Sequence, residues 1–335
     1  MRHPSLRQLR TLVAVARHGN LAGAARELQV TPPAVSMQVR ELEAALELRL
    51  FDRTGRGLRP TSSGEYLLHF ARRILVTLKE AEDSVALLRG VRVGRVTVGM
   101  VSTSEYFLPR LLALFRRERS GVEFRLSVGN REQLVQQLHD REVDFAVMGR
   151  PPREMETVSE PFAANPLVFV AAPEHRLIGQ RDIPVRMLED EPFIIRESGS
   201  GTRAAMEALF QEHGISPPAI MEMSSNETIK QAVMANLGLS LLSVHTLALE
   251  HRNDLIGILD VQGLPLQRTW HLVHLRSSAL SPAADAFRDF VIERGEDLIH
   301  GLLPPTVMPK ATPPAKRKGR VAARRRSTRS PTDAE

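Results

Sequence analysis

The chain contains no cysteine. That absence excludes disulfide staples, thiolate metal sites and a cysteine nucleophile, and it fits a reducing, cytoplasmic setting. Long apolar runs are missing too: nothing approaches the roughly 18 residues that a membrane span needs, so no membrane partner is expected. A secretory leader is not expected either, because Arg7, Arg10 and Arg17 interrupt the early apolar residues before an apolar core can form. The motifs HExxH, GxSxG and GxxxxGK[ST] do not occur, and the eleven histidines are scattered. With no constellation for hydrolysis, acyl transfer or phosphate-loop chemistry, neither an enzyme nor a cofactor is expected. His213 and His245 read as surface or hinge residues rather than bases.

What is present points elsewhere. In 335 residues, 42% of them hydrophobic, there is room for two or three domains with real cores. The formal net charge of +6 is unevenly spread. Residues 301–335 carry nine Lys/Arg against two Asp/Glu, and residues 1–65 carry ten against six, so the middle of the chain is net acidic. Basic ends around an ordinary middle suit a nucleic-acid-binding head and a basic tail.

In "LQVTPPAVSMQVRELEAAL", Leu28 to Leu46, two prolines open what otherwise reads as a helix. The first helical turn is where proline is harmless, since its missing N–H has no partner there and its φ is already helical. Thr31 then reads as the N-cap. Val35, Val39, Leu42 and Leu46 form one apolar stripe, and Pro33, Ser36, Met37 and Arg40 lie opposite, with Gln38 at the flank. Upstream, Leu6, Leu9, Leu12, Val13 and Ala16 mark a first helix ended by Gly19-Asn20, and Leu21 to Leu28 a second. Three short helices with a tight turn before the third make a helix-turn-helix, whose last helix enters the major groove of double-stranded DNA. A wing follows in "LFDRTGRGLRPT": Gly55 and Gly57 permit a reversal, and Arg53, Arg56 and Arg59 suit phosphates or a narrow minor groove. A solvated basic hairpin is the plainer alternative.

From Leu67 the residues Leu67, Ala71, Ile74, Leu78, Ala81, Val85 and Leu88 form a heptad seam, with Ser62 and Glu65 as a capping box. A helix of about 28 residues extends about 42 Å, so pairing with a second copy is expected. The alternative is a helix lying on its own effector domain.

Beyond residue 92, strand and helix patterns alternate. "GRVTVGM", a helix over Tyr106 to Arg117, "VEFRLSV", a helix from Arg131 and "VDFAVMG" predict βαβαβ and a parallel sheet. "PLVFVAA", "PFIIR", a helix from Thr202, "IMEM", a helix through Asn236 and a strand Leu239 to Ser243 make a second lobe. "RTWHLVHL" and a helix from Pro282 return to the first. The crossings fall near Phe162 to Asn165 and Pro265 to Arg268. Ligands bind beyond strand ends, where helix N-termini offer free N–H groups. Capping boxes read at Ser102/Glu105, Asn130/Gln133 and Ser224/Glu227, and "RESGSGTR" adds a glycine-rich turn with Arg196 and Arg203 at its ends. Together with Arg150 these favour an anionic small molecule, although each turn alone is explained by capping.

The segment Leu6 to Leu68 resembles the DNA-binding head of LysR-type transcriptional regulators. Ala24-Ala25, Leu28, Ala34-Val35-Ser36, Leu42-Glu43, Leu50-Phe51, Arg53, Thr61 and Gly64 carry the match. One departure is Pro32, where family members commonly have a glutamine able to contact a base. The resemblance implies DNA contacts by Thr31, Pro33, Ser36, Gln38 and Arg53, to which the polar face of the third helix adds Arg40 and the basic wing Arg56; for Thr31 and Ser36, helix capping is an equal alternative. Residues 92–300 resemble the family's two-lobed effector domain, itself similar to periplasmic binding proteins. "VSTSEYFLPRLLALFRRE", "LSVGNREQL", "DFAVMGRPP", "SGSGTR" and "SSNETIKQAVMANLGLSLLS" are most similar to activators of Calvin-cycle carbon-fixation operons, which sense phosphorylated sugars or related metabolites. That implies Ser102, Thr103, Asn130, Met148, Arg150, Thr202, Arg203, Asn226 and Glu227 as effector residues, to which the glycine-rich turn adds Arg196.

The expected fold is α/β with an all-α N-terminal part. A winged helix-turn-helix spans 1–60 and a dimerising linker helix 61–90. A two-lobed effector domain spans 91–303, with lobe 1 at about 91–163 and 268–303 and lobe 2 at about 164–267; a basic disordered tail spans 304–335. The expected partners are promoter DNA, a small anionic metabolite, phosphorylated in the carbon-fixation reading, a second copy or three in a homodimer or homotetramer, and RNA polymerase. The alternatives are a LysR-type regulator of another operon that responds to a non-phosphorylated carboxylate, and an architectural DNA protein led by its tail.

Overall fold

A computed structural model describes residues 3–54, 57–88 and 94–300. The expected wing residues Gly55 and Arg56, the last two residues of the expected linker (89–90) and the tail from 304 lie outside them.

The head begins with α1 (Leu6–His18), whose N-cap Ser5 forms a capping box with Gln8 and whose end is turned by Gly19 in the left-handed region (φ 64°). Asn20 caps α2 (Leu21–Leu28), and Pro32 and Pro33 open α3 (Pro32–Leu46). Leu12, Val15, Ala24, Val35 and Leu42 close one core. The wing is the hairpin β1 (Phe51–Thr54) and β2 (Gly57–Pro60). It is tied down twice. Leu58 N–H donates to Gly19 O at 2.7 Å, and Glu43 of α3 accepts from Leu50 N–H at 2.8 Å. A Cβ on Gly57 would sit 2.4 Å from that same Gly19 oxygen, so glycine is required for the approach.

The linker helix α4 (Ser62–Leu88) starts one residue after its cap, Thr61, whose Oγ1 accepts from Gly64 N–H at 3.0 Å. Ser62 and Glu65 therefore do not form the expected box. Leu67 and Ala71 pack into the head core rather than on a seam, while Ile74 (46% exposed) and Val85 (48% exposed) stand open on a single chain.

Lobe 1 is built from β3 (Gly94–Val101), α5 (Leu108–Glu118), β4 (Val122–Gly129), α6 (Arg131–His139), β5 (Phe145–Met148) and β6 (Thr157–Ala164). The chain then crosses to lobe 2. There it forms β7 (Leu167–Ala171), β8 (Phe193–Arg196), α7 (Gly201–His213), β9 (Ala219–Met223), α8 (Asn226–Met234), β10 (Ser240–Ser243), α9 (Ala248–Arg252) and β11 (Gly257–Ile258). It returns through β12 (Thr269–Leu275) and α10 (Pro282–His300) to lobe 1. The lobe 1 sheet has the order β4-β3-β5-β12-β6. Its first three strands are parallel as the pattern predicts, but β12 runs antiparallel to both of its neighbours, β5 and β6, so the sheet is mixed. β6 went unread because Pro161 interrupts it; an edge strand beside a register shift tolerates proline. In lobe 2, β10, β7 and β11 form one antiparallel sheet, β8 and β9 a parallel pair, and a Phe193–Leu239 bridge joins them.

Each sheet is covered on both faces. In lobe 1, Phe107, Phe115, Phe287 and Trp270 fill the α5/α10 side, and Leu134, Leu138 and Met148 the α6 side. In lobe 2, Phe169, Phe193 and Phe210 lie under α7, and Ile229 and Val233 under β7 and β10. The two crossings bond to each other: Asn165 N–H donates to Arg268 O at 2.7 Å, and Leu167 N–H to Leu266 O at 3.0 Å. They form one paired hinge.

Candidate functional site

Two surfaces carry chemistry. On the head, α3 presents Thr31, Pro33, Met37 and Arg40 to solvent, Ser36 half-buried among them, and Arg53 stands exposed on the wing. Thr31 is the N-cap by backbone geometry, yet its side chain makes no capping bond. Its hydroxyl is therefore available to a phosphate or base edge. Arg40 and Arg53 have no ion-pair partner among the described residues, which leaves two cations free for phosphates.

Gln38 is a correction. It is 7% exposed and faces inward. Its amide nitrogen donates to Thr11 Oγ1, and its oxygen accepts from Arg7 Nε at 2.9 Å and Nη2 at 3.2 Å. It ties α3 to α1 and has no path to DNA. The signal was available: Gln38 lies three residues after Val35 and four before Leu42, on the apolar stripe itself.

The second surface is a cavity between the lobes, with about 490 Å³ of empty space including its mouth. Strand ends and helix starts build it. Val101 ends β3, Thr103 follows in a 3-10 turn, and Met148 ends β5 with Gly149 and Arg150 just after it. Asn130, the N-cap of α6, and Arg131 supply one helix N-terminus; Ser200, the N-cap of α7, with Gly201 and Thr202, supplies another. Their free N–H groups favour a negative ligand. The hinge adds Asn165, Arg268 and Trp270. Gly149 permits the close hinge approach, since a Cβ there would lie 2.9 Å from Asn165 Nδ2.

Four arginines line the cavity in two classes. Arg196 is buried and spent: it grips Glu197 at 2.7 Å, Asn226 Oδ1 at 2.8 Å and Ser102 Oγ at 3.1 Å. Arg131 pairs with Glu154 at 3.1 Å and donates to Arg150 O at 3.0 Å. Arg150 and Arg268 have no carboxylate partner among the described residues. Burial, and next the Arg150 charge, push the Arg268 guanidinium below its ordinary pKa. Two adjacent cations without counter-ions make a site for an anion.

Residues 89–296 match the LysR substrate binding domain, and residues 6–65 the bacterial regulatory helix-turn-helix protein of the lysR family. The chain belongs to the LysR family. It is 46% identical to the HTH-type transcriptional regulator CfxR of Cupriavidus necator, over 91% of this chain and 97% of that protein. It is 48% identical to the RuBisCO operon transcriptional regulator of Allochromatium vinosum, over 87% of this chain and 96% of that one. Among solved structures, the Synechocystis PCC6803 CcmR regulatory domain in complex with 2-PG is 38% identical with a TM-score of 0.58, covering 60% of this chain and 96% of its own.

Within this LysR effector domain the sequence-derived residues divide. Thr103, Asn130, Met148, Arg150, Arg196 and Thr202 line the cavity. Four others do not. Arg203 turns outward to Glu207 at 2.7 Å and Glu222 at 2.6 Å, because the third residue of α7 points over β9 rather than off the helix end. Ser102 and Asn226 are consumed by Arg196 and by each other. Glu227 bonds Tyr106 and Lys230. Two expected caps also move: the turn at Ser102 has no side-chain cap, and α8 is capped by Ser225, not Ser224. Ser200 and Gly201 of the glycine-rich turn line the cavity too, as do Arg131 and Arg268, which the sequence does not single out. Arg268 sits in a crossing that carries no motif, and only its place beside the hinge marks it.

Proposed function

We propose that this LysR regulator controls a carbon-fixation operon through a small phosphorylated anion held between its lobes. LysR regulators bind DNA and a small-molecule effector and act as oligomers. What supports the effector class is the pair Arg150 and Arg268, two guanidiniums facing one cavity without a carboxylate, flanked by two helix N-termini. The ligand 2-PG of the CcmR domain, a relative with 38% identity, is the first candidate.

In this reading Thr31, Pro33, Ser36 and Arg40 meet the major groove and Arg53 the neighbouring backbone. The protein works in the cytoplasm as a homodimer or homotetramer, paired along the exposed half of α4, on a promoter shared with RNA polymerase. The anion neutralises Arg150 and Arg268, favours closed lobes, and changes the spacing of the heads and the bend of the DNA.

Thermal unfolding of the full chain against 2-PG, ribulose bisphosphate, phosphoenolpyruvate, ATP and NADPH tests it. A ligand at about 100 times its Kd stabilises by about 2.7 kcal/mol. A phosphorylated compound is expected to raise the melting temperature, and Arg268→Ala to remove the rise while Arg203→Ala keeps it. A rise with a non-phosphorylated carboxylate alone would leave a LysR regulator of another operon.

A further inference from the structure

Helix α6 touches both the cavity and the linker helix α4. At its start, Asn130 and Arg131 line the effector cavity, and Asn130 Nδ2 reaches Ser198 O of the opposite lobe at 3.5 Å. At its far end, Asp140 Oδ1 meets Arg72 Nη1 of α4 at 2.6 Å. This is not a loose surface pair. Both side chains are about five-sixths covered, at 15% and 16% exposed, Gln136 holds the second carboxylate oxygen at 3.0 Å, and Glu142 lies 4.0 Å from Arg72. The His69 and His139 rings pack beside it, 5.8 Å between centroids.

Arg72 follows Ala71, which is fully buried in the head core with Leu68. A displacement of Asp140 therefore acts on the part of α4 that cannot move without the head. Between the two contacts α6 is nine residues, about 14 Å of continuous helix, seated on its sheet by Leu134 and Leu138. A short packed helix moves as a rod, because its hydrogen bonds do not stretch and its core contacts do not compress.

We propose that α6 is the strut that couples the cavity to the DNA-binding head, with the Asp140–Arg72 ion pair as its joint. The route is separate from the chain connection through residues 89–93. It rests on the proposed function only in taking the cavity as the effector site. Coupling of this kind is reciprocal: what the cavity does to the head, DNA on the head must do to the cavity.

That reciprocity supplies a test that needs no effector. Trp270 is the chain's single tryptophan and forms the wall between the lobe 1 core and the cavity, so a change in tryptophan emission arises at that wall. The full-length protein is titrated with a duplex that it has itself selected from a random-sequence pool. The wild type is expected to change Trp270 emission on binding. Arg72→Ala and Asp140→Ala are expected to bind the duplex within about twofold of wild type yet lose at least half of the emission change, and the exchanged pair Arg72→Asp/Asp140→Arg to recover it. A wild-type emission that ignores DNA, single variants that keep the full response, or an exchanged pair that recovers nothing while its melting temperature matches wild type, overturns the proposal. The melting assay with 2-PG is read separately. If no anion shifts it while the Trp270 response depends on Asp140, the effector assignment falls and the strut stands.

Discussion

At the scale of single residues, Thr31 and Gln38 divide stability from recognition. Thr31 makes no capping bond, so Thr31→Ala removes nothing from the fold. Its melting temperature is expected to stay within the shift of an ordinary surface substitution, about 0.5 kcal/mol, while affinity for selected DNA falls. Gln38→Ala is expected to do the opposite. It leaves Arg7 and Thr11 without their shared buried partner, at a cost of about 1–3 kcal/mol, with DNA contacts on the folded fraction unchanged. Denaturant melts beside DNA titrations of both variants check the pair of outcomes. These two residues also show what could be read from sequence. Spacing alone places Gln38 on the buried stripe, but its polarity and its place in a familiar motif argued for DNA. Thr31 was legible as an N-cap, and only geometry could say whether its hydroxyl was in use.

At the scale of elements, the turn after β10 carries a buried titratable bearing of the hinge. His245 is 2% exposed, its ring 5.5 Å from Phe107 and 6.2 Å from Trp270 by centroids, and its Nε2–H donates to Ala164 O at 3.0 Å. Nδ1 is buried without a partner among the described residues, so protonation would place a charge and a donor where nothing accepts. Burial accordingly pushes the pKa down to about 4. The folded state then binds fewer protons than the unfolded chain, whose histidine titrates near 6.5. Stability from this group is complete above about pH 6.5 and is lost as pH falls toward about 4, a loss of about 3 kcal/mol by linkage. Denaturant melts across that window are expected to show the decline in wild type and a shallower one in His245→Gln, which keeps a donor for Ala164. An equal slope in both would mean that another group carries the transition.

The elements differ in how far sequence revealed them. Helix α2, Leu21–Leu28, was legible to the residue because Gly19, Asn20 and the alanine-rich run agree. The parallel half of lobe 1 was legible from alternation. The antiparallel strand β6 was not, since Pro161 reads locally as a break and only its edge position excuses it. The cavity was half legible. Strand ends and helix starts point inward by topology, so Asn130, Arg150 and Thr202 could be named, whereas Arg203, one residue further along α7, had already turned away. Which arginine is free and which is spent is a matter of partners brought from distant sequence, as Glu222 is to Arg203 and Asn226 to Arg196.

At the scale of the whole molecule, residues first read as effector ligands hold the lobes together. Tyr106 of lobe 1 donates to Glu227 of lobe 2 at 2.6 Å, and Lys230 of lobe 2 lies 4.8 Å over the Tyr106 ring. Against burial, which pushes it up, Lys230 and Tyr106 hold the Glu227 carboxyl below its ordinary pKa. Burial and the Glu227 bond push the Tyr106 hydroxyl well above its own, so it stays protonated and keeps donating. Arg196 closes a second bond to Ser102 across the same gap. These contacts bridge the two lobes, so losing one is expected to shift the balance away from the closed arrangement. Tyr106→Phe keeps the ring under Lys230 and removes one bond to a charge at a partly wet site, worth about 1 kcal/mol. An effector that needs the closed form is then expected to bind more weakly, by up to about fivefold, without any cavity residue having changed. Small-angle scattering of the unliganded variant should show a larger radius, and in a Glu227→Ala background, where the acceptor is already gone, the same substitution should add nothing. An unchanged Kd together with an unchanged radius would make the tyrosine a passive surface contact, and would leave lobe closure to the Arg196–Ser102 bond and the paired hinge strands.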